Sequence, residues 1–373
     1  MKKWLIPVTL IMVLALVVAC APKPAPPAPA PPLKPAPAPT PAPAPAVKEK
    51  EAVTIQWITG REGSAGYAVG ATLAMLIQEE LPELLERVDV RPLGSLAGVK
   101  RVEQGVSEAG YTNAMALYQQ YHNLQYWAKH PTPPERRMQQ GIWIYTIVIF
   151  WAVPERLAGE VKSLGDLAGR RIFLAAPGGT LFLACEVIFD AIGLFDKIEY
   201  ADLPYPEVSG AVGARTIDAT IVYHMAPAIS PPSWLVDVTT RHKLVIIPFT
   251  EEEKAKLKEA VKGAGIALIE TEAPYVKPTP VGKVSACEFY WGWGFSPDLG
   301  EEYAYAITKA IVEKAHTKSA ATIFVEAFSK TPLEIMTAGI DTIPDIPVHP
   351  GVAKYLKEKG VWKDYWVVGK LTK

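Results

Sequence analysis

The 373-residue sequence predicts an α/β chain built as two similar lobes. Two observations predict it. A strand pattern, a glycine-rich turn and an apolar-faced helix occur in that order twice, once from Val53 and once from Ile172. In each copy the next small-residue turn follows at the same distance, 31 residues from Gly63 to Gly94 and 31 from Gly178 to Ser209. Alternation of strand and helix covers the faces of a mostly parallel sheet.

The chain opens with an address. Lys2 and Lys3 precede an apolar run, Trp4 to Ala19, and Cys20 follows at once. A basic stretch before a short apolar one reads as a secretory signal over residues 1–19. It is shorter than the ~20 apolar residues that span a bilayer. Val17-Val18-Ala19-Cys20 resembles the bacterial lipobox, so Cys20 is the expected lipidation site and the location is extracytoplasmic, tethered to a membrane. Residues 21–46 hold 13 Pro and 9 Ala. Proline at this density removes backbone donors and fixes φ, which leaves an extended spacer of about 80 Å. Residues 20–50 are thus lipidated cysteine and linker, and the folded unit begins near Glu51.

In the first copy Val53–Thr59 alternates as a strand. Gly60 to Gly66 forms the turn, and Val69, Leu73, Leu76 and Ile77 share one helical face. Strands near Val88–Pro92 and Ala109–Asn113 flank a short helix that ends near Gln104. In the second copy Ile172–Ala176 is the strand and Pro177-Gly-Gly-Thr180 the turn. The helix carrying Leu181, Ala184, Val187, Ile188 and Ala191 stops at Gly193, a left-handed cap. Strands at Ile198–Leu203 and Asp218–Tyr223 complete it. Lys243–Phe249 and Val284–Tyr290 are further strands and Glu251–Lys262 a charged helix. Helices over 299–316 and 319–329, and one before Trp362, close the chain. The expected division is 51–150 for the first lobe, 151–284 for the second and 285–373 for the return to the first. The crossings fall near Ile147–Val153 and Ser285–Trp291.

Composition excludes several functions. With 38 Lys+Arg against 39 Asp+Glu the net charge is −1, without the basic excess of a nucleic-acid binder. Cys20, Cys185 and Cys287 are too few and too scattered for a disulfide framework or a zinc site. The six histidines show no metal-ligand spacing, and no GxSxG elbow is present. No catalytic residue, metal or cofactor is expected.

Both glycine-rich turns follow a strand and open a helix. A helix start leaves N–H groups unpaired and carries about half a positive charge. Glycine admits a ligand close to the backbone, so two such turns facing one cleft make a clamp for a carboxylate or phosphate. Neither turn ends in Gly-Lys-Ser/Thr, and neither is GxGxxG, so nucleotide binding is not indicated.

Several motifs resemble the TAXI-type solute receptors of TRAP transporters. They are Thr59-Gly60 through Gly66-Tyr67, Gly94-Ser95 with Gln104-Gly105, Val161-Lys-Ser-Leu-Gly-Asp-Leu-Ala-Gly-Arg-Arg-Ile172 with Ala176-Pro-Gly-Gly-Thr180, Ile217-Asp-Ala219, and His349-Pro-Gly351 with Tyr355, Lys359 and Gly360. The chain departs from that pattern at Ser64-Ala65-Gly66-Tyr67, Leu96-Ala97-Gly98 and Tyr111-Thr112-Asn113. The resemblance implies a type II periplasmic-binding-protein fold that closes over a small organic acid. It also implies delivery to TRAP permease subunits in the membrane.

Arg61, the lone arginine of the two turns, is a candidate for a bidentate carboxylate contact. Gly63, Ser64, Gly178, Gly179 and Thr180 are candidates from the turns, with Ser64 and Thr180 placed as N-caps. Tyr67 is a candidate cleft wall. Asn113, Tyr223 and His224 lie at matching strand ends, and Trp291 lies in the aromatic and glycine run Tyr290–Phe295 beside a crossing. If the aromatic residues wall the cleft, the ligand carries an apolar or aromatic body as well as a carboxylate. The reading is a lipid-tethered solute receptor. Its rivals are a sensor or adaptor of the same fold and, with less support, an enzyme on a similar scaffold.

Overall fold

The structure, a computed structural model, describes residues 52–372 except 177, 279, 281 and 318–327. The signal segment, Cys20, the spacer and most of the helix expected over 319–329 lie outside the described residues.

Strand β1 (Val53–Ile58), helix α1 (Ala65–Glu80), β2 (Leu85–Arg91), α2 (Ser95–Glu103) and β3 (Ala109–Asn113) form the first β-α-β-α-β unit. Helices α3 (Ala114–His122) and α4 (Tyr126–Lys129) lead to a long strand, β4 (Gln139–Pro154). The second unit is β5 (Arg171–Phe173), α5 (Thr180–Ala191), β6 (Glu199–Tyr200), α6 (Val208–Gly213) and β7 (Ala219–Ala226). Helix α7 (Ser233–Arg241), β8 (Leu244–Ile246), α8 (Glu251–Ala260) and β9 (Ala267–Thr271) follow it. The chain returns along β10 (Val284–Phe295) and closes with α9 (Glu301–Lys314), α10 (Pro332–Asp341) and α11 (Pro350–Glu358).

The strand order is β2-β1-β3-β10-β4-β7-β5-β6, with β8 beside β4 and β9 beside β10. β1 is parallel to β2 and β3, and β5 is parallel to β6 and β7, so each unit is a small parallel sheet. The two units meet only through β4 and β10 within the sheet. Gly292 and Trp293 of β10 pair with β3 and with the start of β4, whereas Val284–Glu288 pair with β9. Thr146–Ala152 of β4 pair with β7. Both long strands therefore run from one lobe into the other, the two-lobed α/β arrangement expected. Between them the register slips at Trp291/Gly292, and such an irregularity bends a strand locally.

Every residue of β4 is buried, which explains why its sequence is a near-continuous apolar run rather than an alternating one. Helix α9 packs on α1 and α11 on α9, so the C-terminal helices cover the first lobe. Gly193 has φ +67°, the left-handed geometry expected at that helix end. Other elements differ from expectation. β5 stops at Phe173 because Leu174–Ala176 leave the ladder toward the second turn, and β6 keeps only Glu199–Tyr200. β10 continues past Tyr290 to Phe295. Helix α3 begins directly after β3 with no glycine or proline between them. Asn113 is its N-cap, its Oδ1 accepting the Ala116 N–H at 2.8 Å.

Two buried histidines make this core sensitive to acid. His349 caps α11, accepting the Gly351 N–H through Nδ1 at 3.2 Å and donating through Nε2 to the Leu299 carbonyl at 3.0 Å. His224 packs against Phe150 and meets the Tyr275 hydroxyl at 3.1 Å. Burial pushes each down to about 4. The folded pKa lies below the unfolded value of about 6.5, so the unfolded chain takes up protons first as pH falls. This stability is complete above about pH 6.5 and is lost on the way down to about 4. Denaturant titrations at pH 6.5 and 5 are expected to show a decline of about 1 kcal/mol per pH unit for each histidine. His349→Gln is expected to halve that slope, and an unchanged slope would assign the decline to other groups.

Candidate ligand-binding site

Three helices begin at the cleft between the lobes. At α1, Ser64 is the N-cap, its Oγ accepting the Tyr67 N–H at 3.2 Å and donating to the Arg61 carbonyl at 2.6 Å. The N–H groups of Ala65 and Gly66 are left without an acceptor among the described residues. α2 begins after Gly94, which has φ +95° and no side chain to cap the helix, and the Ser95 N–H is also without an acceptor among the described residues. α5 begins after Gly179, and Gly178 before it has φ +74°. Gly60, Ser64, Gly66, Gly94, Ser95, Gly178 and Gly179 line one cavity of about 80 Å³. One buried water needs roughly 10–15 Å³ on this measure, so the space suits a compact organic molecule.

Arg61 lies across the mouth of this cavity. A side chain at Gly178 would place its first carbon 3.0 Å from Arg61 Nη2, and one at Gly94 would place it 3.3 Å from Arg61 Cγ. Both positions have positive φ, so glycine serves the backbone turn and the arginine's path at once. No carboxylate ion-pairs with Arg61 among the described residues. No Asp or Glu lines the cavity. One guanidinium and three helix starts, each worth about half a positive charge, therefore face a space with no acidic group to balance them.

The floor is different. Trp291 of β10 and Ile147 of β4 come from the strands that join the lobes and Tyr223 from β7 beside them, with Tyr111, Tyr205 and Leu181 at the sides. Tyr111 lies directly over Gly66, where any Cβ would meet its ring. Its hydroxyl bonds that of Tyr145, and Tyr111 and Trp291 rings are 5.1 Å apart. The Tyr223 hydroxyl accepts from Trp234 Nε1 at 3.3 Å, and Trp234 stacks on Tyr205 at 5.0 Å. Burial raises the pKa of all three tyrosines lining the cavity, Tyr223 to about 12. They are neutral at any physiological pH. Trp291 is 3 % exposed, and its indole N–H has no partner among the described residues.

Beside the cavity the lobes touch directly. The Thr180 N–H and Oγ1–H both donate to Ser95 Oγ, at 2.9 and 3.0 Å, and Asn113 Nδ2 donates to Thr180 Oγ1 at 2.9 Å. Ser95, Asn113 and Thr180 are 5 %, 0 % and 0 % exposed. Thr180→Val keeps the shape and leaves the Asn113 Nδ2 donor without its partner, a loss of about 1–3 kcal/mol. The expected result is a larger radius of gyration by X-ray scattering and about tenfold weaker ligand binding. A lower melting temperature with unchanged affinity would make the contact ordinary packing.

The sequence profile of the NMT1-like family matches residues 58–360. The chain belongs to the NMT1-like family. Among solved structures it is similar to a protein of Bordetella bronchiseptica RB50, at 17 % identity and TM-score 0.44, covering 84 % of this chain and 90 % of that one. A putative L-cystine ABC transporter protein of Listeria monocytogenes gives 14 %, 0.43, 75 % and 97 %. A marine-metagenome TRAP solute-binding protein described as specific for aromatic acid ligands gives 13 %, 0.38, 85 % and 92 %. These likenesses are too distant to carry a ligand or a transport partner to this chain.

In this NMT1-like protein Arg61, Ser64, Gly178, Gly179, Tyr223 and Trp291 line the cavity. Gly63 is exposed with φ +78° and lies outside the lining. Tyr67 is turned to an outer groove with Met75 and Val88. His224 follows Tyr223 in β7, and strand alternation sends it to the opposite face. Asn113 caps α3 and binds Thr180. Thr180 is the first helical residue of α5 rather than its N-cap, since Gly179 occupies that position. Gly94, Ser95, Tyr111, Ile147, Leu181 and Tyr205 are lining residues that the sequence did not single out. Gly94-Ser95 carried a signal, a glycine and serine opening a helix. Tyr205 and Ile147 carried none. Among the described residues no His/Cys/Asp/Glu cluster suits a metal, and no helix is long and apolar enough to cross a membrane. Cys185 is fully buried and burial pushes its thiol well up, consistent with an inert side chain.

Proposed function

We propose that this NMT1-like protein is an extracytoplasmic solute receptor without catalytic activity that binds a small organic acid between its lobes. The observation that carries the reading is electrostatic. Two glycine turns from opposite lobes, the start of α2 and Arg61 face one small cavity that no acidic residue lines. The ligand's carboxylate would bond N–H groups and the guanidinium, each charge-assisted bond being stronger than a neutral one. An anion held by both lobes favours the closed form over the open one. The movable units are 51–150 with 285–373 against 151–284, joined by β4 and β10. Delivery to TRAP permease subunits, as a TAXI-type receptor, is supported by the sequence resemblance from Thr59 to Gly360. Attachment to a membrane through Cys20 is supported by the lipobox and the spacer.

A thermal-shift screen of the purified protein with 2-oxo acids, dicarboxylates, amino acids, aliphatic monoacids and aromatic acids tests the reading. A ligand at a hundred times its dissociation constant adds ~2.7 kcal/mol of stability, so at least one acid is expected to raise the melting temperature clearly. Shifts only with sugars or cations would contradict it.

A further inference from the structure

The cavity is chemically two-ended, and its two ends answer different questions. The mouth explains why an anion binds; the floor decides what else the anion carries. Resting on the acid-receptor reading above, we infer that the ligand is a monoanion whose remainder is uncharged and apolar or aromatic. Tyr223, Trp291, Ile147 and Leu181 select it.

Among the described lining residues Arg61 is the single ionic side chain, and it lies at the mouth beside Gly94 and Gly178. The floor strands supply Trp291, Ile147 and Tyr223, none of them charged. The tyrosine hydroxyls are already engaged, Tyr111 with Tyr145 and Tyr223 with Trp234. Burial keeps them protonated. A second carboxylate reaching this floor would lose its water and meet no cation, which is strongly unfavourable. A primary ammonium would meet no carboxylate. The same field that draws the first carboxylate, from three helix starts and Arg61, would also repel it. Dicarboxylates and zwitterionic amino acids are therefore disfavoured for opposite reasons. An alkyl chain or a ring carries no charge to desolvate and gains burial against Trp291 and Tyr223; the Trp291 indole N–H, open among the described residues, is a neutral donor that cannot balance a second charge.

Calorimetric titration with matched acids tests this. The probes are 4-methylpentanoate and 3-phenylpropanoate, their amino counterparts leucine and phenylalanine, and glutarate. The monoacids are expected to bind at least tenfold more tightly than the other three. Equal or tighter binding of glutarate, leucine or phenylalanine would overturn the inference and leave the acid-receptor reading standing. Failure of every acid to bind would overturn both. A gain-of-function variant gives an independent readout. Ile147→Lys puts a cation at the floor, and Leu181→Lys, should the first not fold, puts one at the side of the same cavity; either is expected to shift the glutarate-to-monoacid affinity ratio at least tenfold toward glutarate. An unchanged ratio in a folded variant would count against the floor as the selector.

Discussion

Arg61→Gln is expected to weaken acid binding by about 10- to 150-fold while leaving the melting temperature of the free protein nearly unchanged. The size follows from hydrogen bonds to charged groups, about 1.5–3 kcal/mol each, converted at 1.36 kcal/mol per tenfold. The selectivity of the effect follows from position. Arg61 is exposed and lies in a loop, and no carboxylate among the described residues depends on it. Its removal leaves no buried charge behind, so stability has little reason to change. Arg61→Lys is expected to recover only part of the loss, because an ammonium cannot reproduce a planar two-pronged contact. Titration calorimetry of the three proteins decides it. Equal affinities would mean that the guanidinium never reaches the ligand.

Trp293→Ala is expected to cost about 3–5 kcal/mol of stability, the range for removing a fully buried large aromatic side chain. Trp293 is 0 % exposed, stacks on Trp57 at 5.1 Å and 14°, and donates its indole N–H to the Ile58 carbonyl at 2.9 Å. Its loss would empty the core of the first lobe beside β1. The acid affinity of the molecules that remain folded is expected to stay within about twofold. Trp291→Ala, two residues away on the same strand face, is expected to do the reverse in binding, with at least a tenfold loss, because Trp291 forms part of the cavity floor. Urea unfolding and calorimetry on both variants separate the two roles. Loss of affinity in Trp293→Ala at full folding would mean that the floor depends on the whole aromatic stack.

The pair shows where sequence reading reaches and where it stops. Tyr290–Phe295 stands out in the sequence by composition alone, four aromatic residues and two glycines. Which tryptophan meets the ligand depends on how far along β10 the crossing between lobes falls, and that is fixed by pairing with β3 and β4. The two glycine turns were legible because their chemistry is local. A strand, a flexible turn and a helix start define an anion-binding element wherever they are placed. Their convergence is not local, since it rests on two strands passing between the lobes. The sequence places Tyr223 and His224 together at a strand end; β7 runs on to Ala226, so both lie inside the strand and only its alternation separates the one facing the cavity from the other. Asn113 and Thr180 looked like ligand donors because short polar side chains at such positions have few other uses in a sequence. In the fold they bind each other across the cleft.

The most direct test of the central claim is a crystal structure of the protein with the monoacid that gives the largest thermal shift. The carboxylate is expected between the lobes, about 2.7–3.2 Å from Arg61 nitrogens and from N–H groups at the starts of both α1 and α5, with the apolar end against Trp291 and Tyr223. A carboxylate held by one lobe alone, or bound away from both glycine turns, would contradict it.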